Sequence, residues 1–162
     1  MEWQQDAIHR LQQYAMKRGL VLLERLGQGY DGVVVSTSHA TALKSFAFER
    51  LYRRELDVYR RLRDHRVDEV SGFTVPGLVD FDDSLWVLEM EIVSPPFVLD
   101  FAGAYLDQAP DYPPEVMEEW EADKREQFGD ERWETVRIVM FAFQRMGIYL
   151  ADVKPGNIMF VD

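Results

Sequence analysis

Gly27-Gln28-Gly29-Tyr30-Asp31-Gly32-Val33-Val34 is the stretch on which the reading of this chain turns. Its glycines let the backbone come close to a ligand or turn sharply, in conformations closed to other residues. A tight hairpin and a phosphate-cradling loop both fit the spacing. The dinucleotide-binding version of the motif requires a helix directly after the glycines. Here Val33-Val34-Val35 carries on as a β-branched run, so the pattern is strand, glycine loop, strand.

Working outward, the texture predicts strands over Val21 to Leu26, Val33 to Ser36 and Thr41 to Phe46, with Thr37-Ser38-His39 as a polar turn. Upstream, Trp3, Ala7, Ile8, Leu11, Tyr14 and Ala15 recur at helical spacing and predict an amphipathic helix ending near Gly19. Downstream, Phe48 to Arg63 reads as a helix, and Ser71-Gly72 and Pro76-Gly77 as loops around a short strand. Leu78 to Phe81 and Leu85 to Ile92 read as a hairpin turning at Asp82-Asp83-Ser84. Ser94-Pro95-Pro96 is the best linker. Beyond it, helices are expected over Leu99 to Leu106, Glu115 to Phe128 and Arg132 to Met146, then a polar loop and an apolar strand at Ile158 to Val161. The fold class is therefore α+β. Its expected parts are an N-terminal helix (1–19), a small antiparallel sheet lobe with one helix (20–93) and a helical part (94–162).

Composition narrows the partners. Eighteen basic against 29 acidic residues give a net charge of −11, which argues against nucleic acid, because phosphate backbones need clustered cations. Arg50 to Arg66 is basic, but Glu55, Asp57 and Asp64 interrupt it, as on a solvated helix face. Cysteine is absent, which excludes disulfides and thiolate metal sites. No apolar run is long enough to span a membrane, and the first ten residues lack a signal-like apolar core. These features point to a cytoplasmic protein with no membrane partner.

Two charged residues stand where apolar ones are expected. On a strand, Ala42, Lys44 and Phe46 share one face. In the following helix, Glu55 falls within the stripe of Phe48, Leu51, Tyr52, Tyr59 and Leu62. A carboxylate facing a core needs a cation, and Lys44 is the natural one. An edge-strand lysine and a rim carboxylate reaching water are the plainer alternatives.

Further on, Leu85-Trp86-Val87-Leu88-Glu89-Met90-Glu91 reads as a strand, and Ala151-Asp152-Val153-Lys154-Pro155-Gly156-Asn157 carries the pattern Asp-x-Lys-Pro-x-Asn. Taken with the glycine loop, Lys44 and Glu55 in this order, the chain resembles the protein kinase superfamily. The resemblance implies ATP as ligand with Mg2+ or Mn2+. It implies phosphate contacts at Gly27, Gly29, Gly32 and Lys44, with Glu55 holding the lysine. It gives Val34 and Ala42 to the roof over adenine, Met159 to its floor, Leu88 to the gatekeeper place, and the Glu89 carbonyl and Glu91 amide to the adenine edge. Asp152 becomes the catalytic carboxylate, Lys154 the γ-phosphate contact and Asn157 a metal ligand.

The pattern departs from the family in places. Tyr149-Leu150-Ala151 replaces the residues usually found before the catalytic aspartate. The family's Asp-Phe-Gly lies about a dozen residues beyond the asparagine, past Asp162. A serine/threonine-kinase-type phosphotransferase, or its remnant, is thus the first expectation, with ATP bound better than phosphate is transferred. A non-catalytic, nucleotide-binding pseudokinase or scaffold, with another protein as substrate or partner, is the alternative. An interaction module using the acidic residues from Asp107 to Asp123 is a third.

Overall fold

The computed structural model describes residues 2–162 and is α+β, with four helices and mainly antiparallel sheets. The chain divides into two compact units. Among the described residues, unit 1 comprises 2–65 and 76–92, and unit 2 comprises 66–75 and 93–162. No helix among the described residues is long and apolar enough to cross a membrane.

Unit 1 is a sheet between two helices. It contains α1 (Glu2–Arg18), β1 (Leu22–Gln28), β2 (Gly32–Thr37), β3 (Thr41–Phe46) and α2 (Glu49–Asp64). Within unit 2, β4 (Glu69–Val70) and β5 (Phe73–Thr74) follow, after which β6 (Leu78–Asp82) and β7 (Val87–Glu91) complete unit 1. The five long strands form an antiparallel sheet in the order β1-β2-β3-β7-β6. Alternation along the strands sorts their side chains. Val33, Leu43 and Val87, with Leu85 from the turn before β7, meet Ala7, Leu11, Tyr14 and Ala15 of α1. Ala42, Lys44 and Phe46 face the other way, where Phe46 meets Tyr52 of α2 edge-on at 5.8 Å and Tyr59 reaches the Met90 sulfur. Because both faces are covered, every residue of β3 is buried.

The α2 helix keeps Tyr52, Glu55, Tyr59 and Leu62 of the expected stripe, adds Leu56 and Val58, and leaves Leu51 half-buried. Tyr52, Glu55, Leu56, Tyr59 and Leu62 are buried, whereas Phe48 is an exposed cap residue in extended backbone. The helix therefore begins one residue later than the apolar pattern predicts.

The β6–β7 connection is built around Asp82. Its Oδ1 accepts from the Ser84 amide at 2.9 Å, the Ser84 hydroxyl at 2.6 Å and the Leu85 amide at 3.1 Å. Its Oδ2 lies 3.3 Å from Lys17 Nζ. Burial alone would raise this carboxyl, but the Ser84, Leu85 and Lys17 contacts outweigh it and hold the group at about 2. An unfolded aspartate titrates near about 4. A depressed folded value means stabilisation present above about pH 4 and lost as pH falls through about 2. Denaturant unfolding at successive pH values should show Asp82→Asn clearly less stable than wild type at pH 6. The gap should narrow steadily between pH 5 and 2; a constant gap would mean the charge is irrelevant.

Unit 2 continues with β8 (Phe97–Val98), β9 (Tyr105–Leu106), α3 (Pro114–Phe128), α4 (Asp130–Gln144), β10 (Ile148–Tyr149) and β11 (Ile158–Met159). Strands β11, β8, β5 and β4 form one sheet in that order, with β5 and β8 parallel, and β10 pairs with β9. The α3–α4 hairpin turns at Gly129, whose φ of 86° favours glycine. Trp133 is its core, packed edge-on to Trp120 at 5.7 Å and against Phe128 at 6.1 Å.

The helix expected over Leu99 to Leu106 is absent. Asp100 and Gly103 have φ of 65° and 69°, outside the helical region. Asp100 Oδ1 accepts the Ala102 amide at 3.1 Å, an aspartate turn that competes with helical hydrogen bonding. The expected strand at Ile158 to Val161 shrinks to two residues.

Candidate functional site

Lys44 lies at the middle of β3, paired with Val34 of β2 on one side and Leu88 of β7 on the other. Ala42, two residues back, shares its face. The structure thus brings Val34, Ala42, Lys44 and Leu88 onto the α2-facing side of one sheet. Glu55 enters this face from α2, with Oε1 3.0 Å from Lys44 Nζ. The lysine and glutamate side chains are 5% and 2% exposed, so the pair is dry. Taking two charges out of water is unfavourable, and only close contact with further hydrogen bonds offsets it.

A second carboxylate supplies such a contact. Asp31, from the glycine stretch, places Oδ2 2.9 Å from the same Nζ. Sequence reading missed Asp31, because a loop residue between glycines has no periodicity to reveal where it points. Lys44 also lies 5.0 Å from the centre of the Phe46 ring.

The three glycines are not equivalent. A side chain on Gly32 would put its first carbon 2.5 Å from the Ser45 carbonyl oxygen, so packing demands glycine there. Two backbone hydrogen bonds pin the same turn, Gly29 N–H to the Gly32 carbonyl at 3.1 Å and Ala47 N–H to the Asp31 carbonyl at 2.9 Å. Gly27 would meet nothing within 4 Å and Gly29 only Asp31 Oδ1 at 3.4 Å, and neither has a positive φ. The fold therefore requires Gly32 and leaves Gly27 and Gly29 without a steric reason of their own.

Glu89 and Glu91 turn out to have side chains with definite tasks. Glu89 alternates with Leu88 and Met90, so it faces α1 and is buried. Its Oε1 accepts from Tyr14 at 2.9 Å and its Oε2 from Thr41 at 2.8 Å. The chain extends through Thr37 Oγ1, 2.7 Å from Thr41 Oγ1, to the His39 amide at 3.1 Å. Burial first, then the bond to Glu89, push the Tyr14 phenol above its ordinary range and keep it a donor. The Glu91 amide donates to the Gly77 carbonyl at 2.9 Å, and the Gly77 amide donates to Glu91 Oε1 at 2.9 Å. Any ligand contact through the Glu91 amide would first have to break that strand bond.

In unit 2, residues 152–157 form a self-braced loop. Asn157 Nδ2 donates to the Asp152 carbonyl at 2.9 Å and to Asp152 Oδ2 at 3.0 Å. The Asn157 amide donates to the Lys154 carbonyl at 2.9 Å, and the Leu99 amide to the Asn157 carbonyl at 2.8 Å. Lys154 Nζ lies 3.6 Å from Asp152 Oδ2. Val153 and Ile158 are buried and anchor the loop, and Asn157 is buried between them in sequence. Lys154 stays exposed and Asp152 partly exposed. Met159 follows on β11, paired with Phe97 and partly open to solvent. The structure thus gathers the proposed residues into two groups, one on the sheet of unit 1 and one in this loop.

No protein-family model matches the chain, and a search of curated proteins finds no match.

Proposed function

We propose that this chain is a protein-kinase-like ATP-binding protein, a serine/threonine-kinase-type phosphotransferase or its remnant. The observation that carries the proposal is Lys44, a buried ammonium on an otherwise apolar sheet face, held by a helix carboxylate beside a glycine turn. A five-stranded antiparallel sheet with one helix over the lysine face also fits the small lobe that the resemblance implies. The steric freedom at Gly27 and Gly29 supports bare backbone left for a ligand to approach.

In this reading, Val34, Ala42 and Leu88 offer an apolar surface to a flat base, and Lys44 neutralises phosphate oxygens. ATP supplies the transferable phosphoryl group, and Mg2+ or Mn2+ neutralises its charge. Asp152 orients or accepts the proton of the receiving hydroxyl, and Lys154 offers its exposed ammonium to phosphate. Asn157 keeps Asp152 aimed through Nδ2, and its Oδ1 lone pairs suit a hard cation. A second reading, a non-catalytic nucleotide-binding scaffold, is favoured by Asp31, which already bonds Lys44.

Calorimetric titration with ATP, with and without Mg2+, tests the binding. Saturable heat that persists in Asp152→Ala is expected, and no heat under either condition would remove the nucleotide reading. A phosphotransfer assay then separates the two forms. Turnover that falls about a hundredfold or more in Asp152→Ala identifies the enzyme. Background rates in both proteins, with binding intact, identify the scaffold.

A further inference from the structure

We propose that Asp31 is a built-in competitor for the anion site at Lys44, so that the glycine-loop carboxylate sets how tightly the site takes a polyphosphate. This rests on the nucleotide reading above and gives that site a residue controlling its affinity. The two carboxylates on Lys44 differ in a way that assigns their roles. Glu55 comes from the middle of a helix and is 2% exposed, whereas Asp31 comes from a turn and is 22% exposed. An incoming anion therefore meets Asp31 first. The Asp31 carboxylate lies 2.9 Å from the Lys44 ammonium, so a phosphate arriving at that ammonium meets a like charge and is repelled unless Asp31 swings away.

That movement is local. The turn is fixed by its main chain, through the Ala47 amide on the Asp31 carbonyl and the Gly29 amide on the Gly32 carbonyl. The close approach of Gly32 to Ser45 fixes it further. Rotation of the Asp31 side chain alone releases Lys44 on that side, while Glu55 continues to hold the ammonium in place. A Lys44 contact already satisfied by the chain keeps the site closed to weak anions and opens it to one with enough charge to displace a carboxylate.

Titrations of wild type, Asp31→Asn and Asp31→Ser with tripolyphosphate, ATP and adenosine decide the matter, with thermal melts confirming that each variant folds. Both variants should bind tripolyphosphate and ATP about tenfold or more tightly than wild type, because one like charge next to the ligand is gone. Adenosine affinity should be unchanged. Polyphosphate binding that is equal or weaker in both folded variants overturns the competitor role. Tighter tripolyphosphate with no adenosine or ATP binding supports it while removing the nucleotide reading. No binding of any probe to any of the proteins removes both.

Discussion

Lys44→Met is expected to lower the unfolding free energy by about 3–5 kcal/mol, the usual loss when one partner of a buried ion pair is deleted. Methionine fills nearly the same volume, so the loss is electrostatic rather than a cavity effect. It leaves Glu55, 2% exposed, without the cation 3.0 Å away, and Asp31 without the cation 2.9 Å away. Adding Glu55→Leu to the same chain should recover most of the loss, since removing both partners of a buried pair is often neutral or stabilising. Urea unfolding of wild type, single and double variants measures this. A single variant within about 1 kcal/mol of wild type would mean the pair is well solvated, contrary to its burial.

Glu89→Leu should be the next most damaging change, at about 2–4 kcal/mol, because it strips acceptors from two buried hydroxyls at once. Tyr14 loses its partner at 2.9 Å and Thr41 its partner at 2.8 Å. Thr41 keeps Thr37, so Tyr14 carries most of the penalty. Glu89→Gln retains an acceptor oxygen for the phenol and should cost less. The double variant Glu89→Leu with Tyr14→Phe should be more stable than Glu89→Leu alone, an interaction read from a double-mutant cycle. If Tyr14→Phe instead worsens Glu89→Leu, the hydroxyl has another partner and the network is not as drawn.

The Lys44–Glu55 contact was legible because each residue broke a pattern its neighbours made. A charge within an apolar stripe on a helix, and another on an apolar strand face, require one another by solvation alone. The Glu89 side chain gave the same kind of signal and was read only for its backbone. With Leu88 and Met90 on one face, period two sends Glu89 to the other, alongside Val87 and towards the helix that carries Tyr14. Asp31 gave no such signal, since a turn residue's direction depends on dihedrals that composition does not reveal. Leu99 to Leu106 misled for a related reason. Its apolar spacing is helical, but Asp100 diverts the Ala102 amide and Gly103 takes a positive φ. The paired strands of unit 2 are two residues each, too short for any periodicity to appear.

The interleaving of the two units along the chain has a consequence for the order in which they can form during synthesis. Unit 1 has all its strands once Ile92 has been made. Strands β4 and β5 are made earlier than that, yet they belong to unit 2, where β5 pairs with β8 and β8 with β11. Val70, Phe73 and Val75 are buried, and the β4–β5 hairpin that carries Val70 and Phe73 gains its next strand only when Phe97–Val98 has been made. Strand β11, Ile158–Met159, closes a sheet begun almost ninety residues earlier at Glu69.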